Sequence, residues 1–430
     1  MSKVRVYPSI ISGIVEVPSS KSYTHRALIL STLSNGKSVI INPLYSQDTY
    51  ATLNACKSFG AEIIEEKDKV LVKGKSILNP PDDVINVENS GTTLRIITAV
   101  SSLTSSGYTV ITGDASIRKR PMQPLLDALN QLGVECWSSR LNGLPPIIVK
   151  GGGMLGGIAE IRSDISSQFI SALLISSPKA KKETLIKVTG KRVSWPYVKA
   201  TLEMIKRYNG KVIEENEGYR IPPNQEYSPC EFKVPGDFSS ASFILAAGAL
   251  CGSKVIVKNL DFSLPQADMK IIDILKVMGA NIEVNEHQGY ATIEGGKLEG
   301  GEFNLSDSPD LLPVLAILGL KAKGSVKIYG VEHARFKESD RISNLALELN
   351  KLGVDVKELK DGLIIQESKD LKYAILDAHN DHRLFMAFCI AGLISKNGCI
   401  VEGAETVSVS YPNFIKDLMA LNGELEVIKN

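Results

Sequence analysis

The sequence predicts an α/β (α+β) chain of two lobes, each made of three copies of one repeating unit. Three observations predict it. The first is a set of six segments, "ACKSFGAEIIEE", "LDALNQLGVECW", "TLEMIKRYNGKVIEE", "IDILKVMGANIEVNE", "LALELNKLGVDVKEL" and "KDLMALNGELEVIK", in which apolar residues at helical spacing run into a glycine and then an alternating, strand-like stretch. Their glycines (Gly60, Gly133, Gly210, Gly279, Gly353 and Gly423) are separated by 73, 77, 69, 74 and 70 residues. A glycine just past the last helical turn takes the left-handed conformation without Cβ strain. The second observation is another helix–strand series in phase with the first, its helices ending near Gly36, Gly107, Gly252, Gly324 and Gly398, with "SSPKAKKETLIKV" serving the third unit. Two helices and several strands in about 72 residues are too long for a stacking repeat and point to layered helix and sheet. The third is "IPPNQEYSPCEFKVPG", residues 221–236, which separates unit three from unit four.

The first helix of each unit opens on a polar turn. In order these read "PSSKSYTHRAL" (18–28), "ENSGTTLR" (88–95), "SDISSQF" (163–169), "PGDFSSAS" (235–242), "SDSPDLLP" (306–313) and "HNDHR" (379–383). Ser, Asp and Asn before an apolar run cap a helix by accepting from its unpaired N–H groups. Capping alone accounts for those residues. It does not account for Lys21, Arg26, Arg95 and Arg383, because the positive end of a helix dipole disfavours cations. A solvated turn is one reading; the sharper one is that an anion sits there and outweighs the mismatch. On the second reading, removing Lys21 leaves the fold intact or firmer and yet nearly abolishes turnover.

Composition excludes several classes. The 430 residues carry 49 basic and 48 acidic side chains, a net charge of +1, without the basic excess of a nucleic-acid protein. No apolar run approaches a membrane span, and "MSKVRVYPSI" lacks a signal-peptide core. Cys56, Cys136, Cys230, Cys251, Cys389 and Cys399 form no CxxC pair or regular framework, which fits small core residues in a reduced cytoplasmic setting. His379 and His382 could share a helix face, but no further ligand joins them, so no metal is expected. "NGKS" (35–38) and "KGKS" (73–76) fail as phosphate loops, since Ser31 and Lys69 stand where glycine is needed. "GGGMLGG" (151–157) lacks the dinucleotide spacing and reads as a turn.

Seven stretches then carry a resemblance. "SSKSYTHRAL", "NSGTTLR", "RKRPMQPLLDAL", "SSQFISALL", "RVSWPY", "FKESDR" and "NDHRLFMAF" resemble, in this order, the motifs of the EPSP synthase family, from about residue 10 to residue 415. The resemblance implies the two-domain enolpyruvyl transferase fold of six βαβαββ repeats, three per domain. The N-terminal lobe would span 15–235, and the C-terminal lobe 236–430 together with 1–14. It implies transfer of the enolpyruvyl group of phosphoenolpyruvate to the 5-hydroxyl of shikimate 3-phosphate by addition–elimination in an interdomain cleft, with release of phosphate. By the same resemblance the catalytic residues are Lys21, Asp310, Lys337 and Glu338. Shikimate 3-phosphate would meet Lys21, Ser22, Arg26, Ser166, Ser167, Gln168, Ser194, Tyr197, Asp310, His333 and Lys337. Phosphoenolpyruvate would meet Lys21, Gly91, Thr92, Arg95, Arg120, Gln168, Arg341 and Arg383. Both substrates carry a phosphate and a carboxylate, groups that the arginine fork matches. The resemblance further implies no cofactor, a cytoplasmic monomer, no nucleic-acid or membrane partner, and glyphosate as inhibitor. Two positions depart from the family pattern: His333 stands where some members carry Asn, and Val409 where some carry Lys.

Three rivals stand beside it. The sister enzyme acting on a UDP-linked amino sugar shares the fold, but its reactive cysteine has no counterpart in "GDASIRKRP". An RNA 3′-phosphate cyclase would show a nucleotide site and a catalytic His near the C-terminus; neither signal is present in the last forty residues. A non-catalytic scaffold of repeats is the third, since fold alone never proves activity.

Overall fold

A computed structural model describes residues 2–428. It holds twelve α-helices and six four-stranded sheets among the described residues, two helices and one sheet for each unit of the repeat. The expected mixed fold of six repeats is what the chain adopts. Ser19–Val234 forms one compact, continuous unit; the chain up to Pro18 and from Pro235 onward forms a second, split one.

Each sheet repeats one order. In the third repeat, strand Gly157–Arg162 runs parallel to Thr184–Thr189, which pairs antiparallel with Gly218–Ile221, and Ile213–Glu215 lies at the edge. Three strands complete sheets far from their own sequence neighbours. Ile11–Glu16 pairs parallel with Gly252–Lys258, and Glu231–Lys233 pairs parallel with Gly36–Ile41. Lys3–Val6 lies between Cys399–Glu402 and Leu425–Ile428.

In the continuous unit the helices are α1 (Lys21–Leu33), α2 (Gln47–Ser58), α3 (Gly91–Ser101), α4 (Gln123–Gln131), α5 (Ser167–Ser176) and α6 (Trp195–Arg207). The split unit holds α7 (Phe238–Cys251), α8 (Ile271–Val277), α9 (Leu312–Gly319), α10 (Arg341–Lys351), α11 (His382–Ile394) and α12 (Phe414–Ala420). The odd-numbered helices are buried almost all round; every residue of α9 and α11 except Ile394 lies in the interior. α7, α9 and α11 pack against one another, as do α1, α3 and α5 through α3. A helix apolar on every side belongs in a core, and the even-numbered helices, amphipathic, cover the outside. This arrangement leaves the odd helices only their polar first turns at which to present chemistry.

The helix-ending glycines divide. Gly60, Gly133, Gly279 and Gly353 take positive φ as expected, between 79° and 91°. Gly210 and Gly423 do not; the residues before them, Asn209 (φ 62°) and Asn422 (φ 70°), reverse the chain instead. Asparagine is the one common side chain that tolerates this conformation at helix ends, because its amide can bond locally.

Candidate active site

In the continuous unit the expected residues gather at the starts of α1, α3, α5 and α6. Ser90 caps α3, accepting from Thr93 N–H at 3.3 Å, and Ser166 caps α5, accepting from Gln168 N–H at 3.3 Å. Ser194 precedes α6 in the left-handed conformation (φ 55°). Lys21 is the first residue of α1, and its Nζ lies 2.8 Å from Asp48 Oδ2 on α2. Arg95 sits one turn into α3, and its Nη1 donates to Gln168 Oε1 (2.7 Å), whose Nε2 in turn donates to Thr92 Oγ1 (3.0 Å). Arg120 reaches the same place from the turn after Ile117–Lys119; a Cβ added at Gly91 would collide with Arg120 Nη1 and stand 3.0 Å from Arg95 Nη1. Two guanidinium forks therefore converge on the bare backbone of Gly91, an arrangement suited to a small anion.

Arg26 differs from its expected setting in the first turn. It is the sixth residue of α1, 1% exposed, and donates to Thr201 Oγ1 (2.8 Å), Ser22 O (2.9 Å) and Tyr197 O (3.0 Å). Burial pulls its pKa down to about 10, because none of those three partners is a carboxylate. It ties Ser22 on α1 to Tyr197 on α6, two residues of the expected shikimate 3-phosphate set.

The split unit gathers carboxylates. Arg341, at the start of α10 and 1% exposed, holds three of them: Asp381 (Nε–Oδ2 2.7 Å), Asp310 (Nη1–Oδ1 2.6 Å) and Glu338 (Nη2–Oε2 2.6 Å). Burial works to discharge this guanidinium, and the three carboxylates outweigh it, raising its pKa above the ordinary value. Asp310 also meets Arg383 Nη2 at 3.3 Å and Lys337 Nζ at 3.7 Å. Asp310, Lys337, Glu338, Arg341 and Arg383 thus form one ion-pair web, while His333 lies buried on the adjoining turn Glu332–Phe336. Beside the web, Asp268 is buried against Ser239 Oγ, and burial and then the Asp310 charge push its pKa up to about 7.

Several residues here were not read from the sequence. Asp381 lies inside the quoted "NDHR", yet only its neighbours were singled out; it caps α11 through Arg383 N–H (3.0 Å) while holding Arg341. Asp48 and Asp268 carried no motif at all. Glu348, two turns after Arg341 on α10, is fully buried and accepts from Asp377 N–H and from His379 Nε2, both at 3.0 Å. It so fastens a stretch in which His379 (φ 50°) and Asn380 (φ 57°) are both left-handed. That use divides the histidine pair, since His382 is buried as the first residue of α11. Among the described residues no group of three His, Cys, Asp or Glu side chains is placed to hold a metal. All six cysteines are unbridged, and burial pushes the Cys56, Cys136, Cys251 and Cys399 thiols up to about 12. Val409 is buried at the end of the turn Ala404–Val409. No helix among the described residues is long and apolar enough to cross a membrane.

Residues 7–418 match the family model of EPSP synthase (3-phosphoshikimate 1-carboxyvinyltransferase). A 3-phosphoshikimate 1-carboxyvinyltransferase of Methanococcus maripaludis is 46% identical over 424 residues, 97% of this chain and 98% of that protein. The enzyme of the same name from Methanocaldococcus jannaschii is 46% identical over 97% of both chains. Among solved structures, an EPSP synthase from Acinetobacter baumannii is 26% identical and superposes over the whole of both chains with a TM-score of 0.84. The enolpyruvyl transferase NikO from Streptomyces tendae, 16% identical, has the same fold with a TM-score of 0.80.

Proposed function

The chain belongs to the EPSP synthase family, and we propose that its two residue sets divide the 3-phosphoshikimate 1-carboxyvinyltransferase reaction between anion binding and proton transfer. The activity belongs to the shikimate pathway of aromatic amino acid biosynthesis. The 5-hydroxyl oxygen of shikimate 3-phosphate bonds to C2 of phosphoenolpyruvate while C3 takes a proton. C3 then gives up a proton as the bond from C2 to phosphate breaks, and the double bond returns.

Lys21, Arg95, Arg120, Arg341 and Arg383, with the backbone of Gly91, Thr92 and the amide of Gln168, hold phosphoenolpyruvate. Ser22, Arg26, Ser166, Ser167, Gln168, Ser194, Tyr197 and His333 hold shikimate 3-phosphate, Arg26 by fixing Ser22 and Tyr197. Asp310 takes the hydroxyl proton, and Lys337 and Glu338 deliver and remove the proton at C3. The observation that carries this reading is the web on Arg341, which gathers a candidate base and two candidate proton carriers within reach of one buried cation. Groups so held need no reorganisation as charge develops. The enzyme works as a cytoplasmic monomer without a metal; buried, high-pKa thiols suit a reducing compartment. The decisive experiment is phosphate release from phosphoenolpyruvate in the presence of chelator. We expect release only when shikimate 3-phosphate is added. Turnover with a UDP-amino sugar and none with shikimate 3-phosphate would overturn the assignment.

Glyphosate should occupy the phosphoenolpyruvate site. A methyl group at Gly91 meets the ends of two flexible arginines rather than backbone, so Gly91→Ala should fold. Displacing those forks weakens phosphoenolpyruvate binding, and the bulkier inhibitor loses more. Measured side by side, the glyphosate concentration for half-inhibition should rise further than the KM for phosphoenolpyruvate. Equal rises would mean that Gly91 acts only through the two arginines.

A further inference from the structure

Within the continuous unit, four side chains outside the assigned set form an unbroken, fully buried chain of hydrogen bonds. His25 Nδ1 lies 2.7 Å from Thr52 Oγ1, Thr52 Oγ1 lies 2.6 Å from Thr93 Oγ1, and Thr93 Oγ1 lies 2.6 Å from Ser90 Oγ. None of the four is more than 1% exposed. They come from three helices: His25 from α1, Thr52 from α2, and Thr93 with its cap Ser90 from α3. Chains made only of side-chain bonds are a minor share of protein hydrogen bonding. They are directional, so they fix the rotation and axial position of a helix where apolar contact alone does not.

The two ends of the chain show what is being fixed. His25 stands one turn after Lys21 on the same face of α1, as Thr52 does after Asp48 on α2, so the histidine bond lies directly behind the Lys21–Asp48 pair. At the other end, Ser90 and Thr93 bracket Gly91 and Thr92, over which Arg95 and Arg120 converge. The chain therefore links the turn carrying Lys21 to the turn on which the guanidinium forks meet. The imidazole suits the place: burial, then Lys21 and Arg26, hold its pKa well below the usual value, so it adds no charge to a cationic site. Its Nε2 has no partner among the described residues, which leaves the Thr52 bond as the histidine's one polar attachment.

We propose that His25 and Thr52 are positioning residues for phosphoenolpyruvate, setting the first turn of α3 against Lys21 through the chain His25–Thr52–Thr93–Ser90. This rests on the reading of Gly91, Thr92 and Arg95 as phosphoenolpyruvate residues. Thr52→Val keeps the shape and removes the hydroxyl, whereas Thr52→Ser keeps the hydroxyl. Wild type measured in parallel separates the two questions: an inactive wild type overturns the functional reading, and an active one makes the variants a test of positioning. We expect Thr52→Val to raise the KM for phosphoenolpyruvate about tenfold, since small misplacements of binding groups are costly. The KM for shikimate 3-phosphate and the melting temperature should stay near wild type, and Thr52→Ser should restore the phosphoenolpyruvate KM. An unchanged KM for phosphoenolpyruvate, a parallel rise in both KM values, or a Thr52→Ser variant as impaired as Thr52→Val would each overturn the proposal. Should Thr52→Val fail to fold, His25→Leu breaks the same bond from the other side and is read by the same split.

Discussion

Lys21→Ala should lose about 10³-fold in turnover, the scale for removing one preorganised group that meets developing charge. It should also melt earlier. The helix-dipole argument alone gives the opposite sign for stability, since a cation on the first residue of α1 is unfavourable by about 0.3–1 kcal/mol. The pairing with Asp48 decides the matter. Asp48 is 4% exposed, its Oδ2 is 2.8 Å from Lys21 Nζ, and its Oδ1 has no hydrogen-bond partner among the described residues. Removing the lysine strands a buried carboxylate, and breaking a buried pair from one side costs about 3–5 kcal/mol; with Lys21 itself 15% exposed, about 2–3 kcal/mol is the better expectation. Adding Asp48→Asn should then recover most of the melting temperature and none of the turnover. The two readouts separate because stability follows the stranded charge and catalysis follows the missing one. Near-normal turnover in Lys21→Ala would return the helix start to an ordinary charged turn.

The largest effect on stability should come from Arg341→Met. Methionine fills much of the same volume but leaves Asp310, Glu338 and Asp381 facing one another around the vacated guanidinium. We expect a loss of about 3–5 kcal/mol, read as a fall in the denaturation midpoint with the denaturant slope unchanged. Arg341→Lys should recover only part of this, since one ammonium cannot reproduce a fork that bonds three carboxylates at once. A midpoint for Arg341→Met within experimental error of wild type would show that the web contributes nothing to the fold and would remove the support for its preorganised role.

How legible this was in the sequence depended on the range of the signal. The repeat, its two helices and its helix-ending turns are local patterns, and periodicity and glycine spacing reported them. Where the pattern broke, it broke locally: Asn209 and Asn422 do the turning that Gly210 and Gly423 were expected to do. The arginines and serines of the site stood in recognisable strings. Their partners did not. Asp48 is 27 residues from Lys21, Thr201 is 175 from Arg26, and Asp381 is 40 from Arg341. Such pairings exist only once the sheets of a unit have closed, and no single stretch encodes them. The same limit explains why the helix dipole alone gives the opposite sign for Lys21: its unfavourable contact is with its own helix, and its favourable one is with another.

The position of strand Lys3–Val6 has a consequence for how the chain is made. It is synthesised before the whole of the continuous unit, yet both its neighbours, Cys399–Glu402 and Leu425–Ile428, are synthesised after that unit. Ile11–Glu16 likewise waits for Gly252–Lys258. The continuous unit needs nothing beyond Val234, so it can collapse while the rest is still being translated. The split unit cannot complete the sheet of Lys3–Val6 until Leu425–Ile428 has been made, and each early strand must remain unpaired until its partners follow. Contacts that span the chain close slowly, and unpaired strands invite association with other chains. Folding from denaturant should therefore proceed in two phases, the faster within Ser19–Val234 and the slower tied to Lys3–Val6, and it is in that slower phase that nascent chains are most exposed to aggregation.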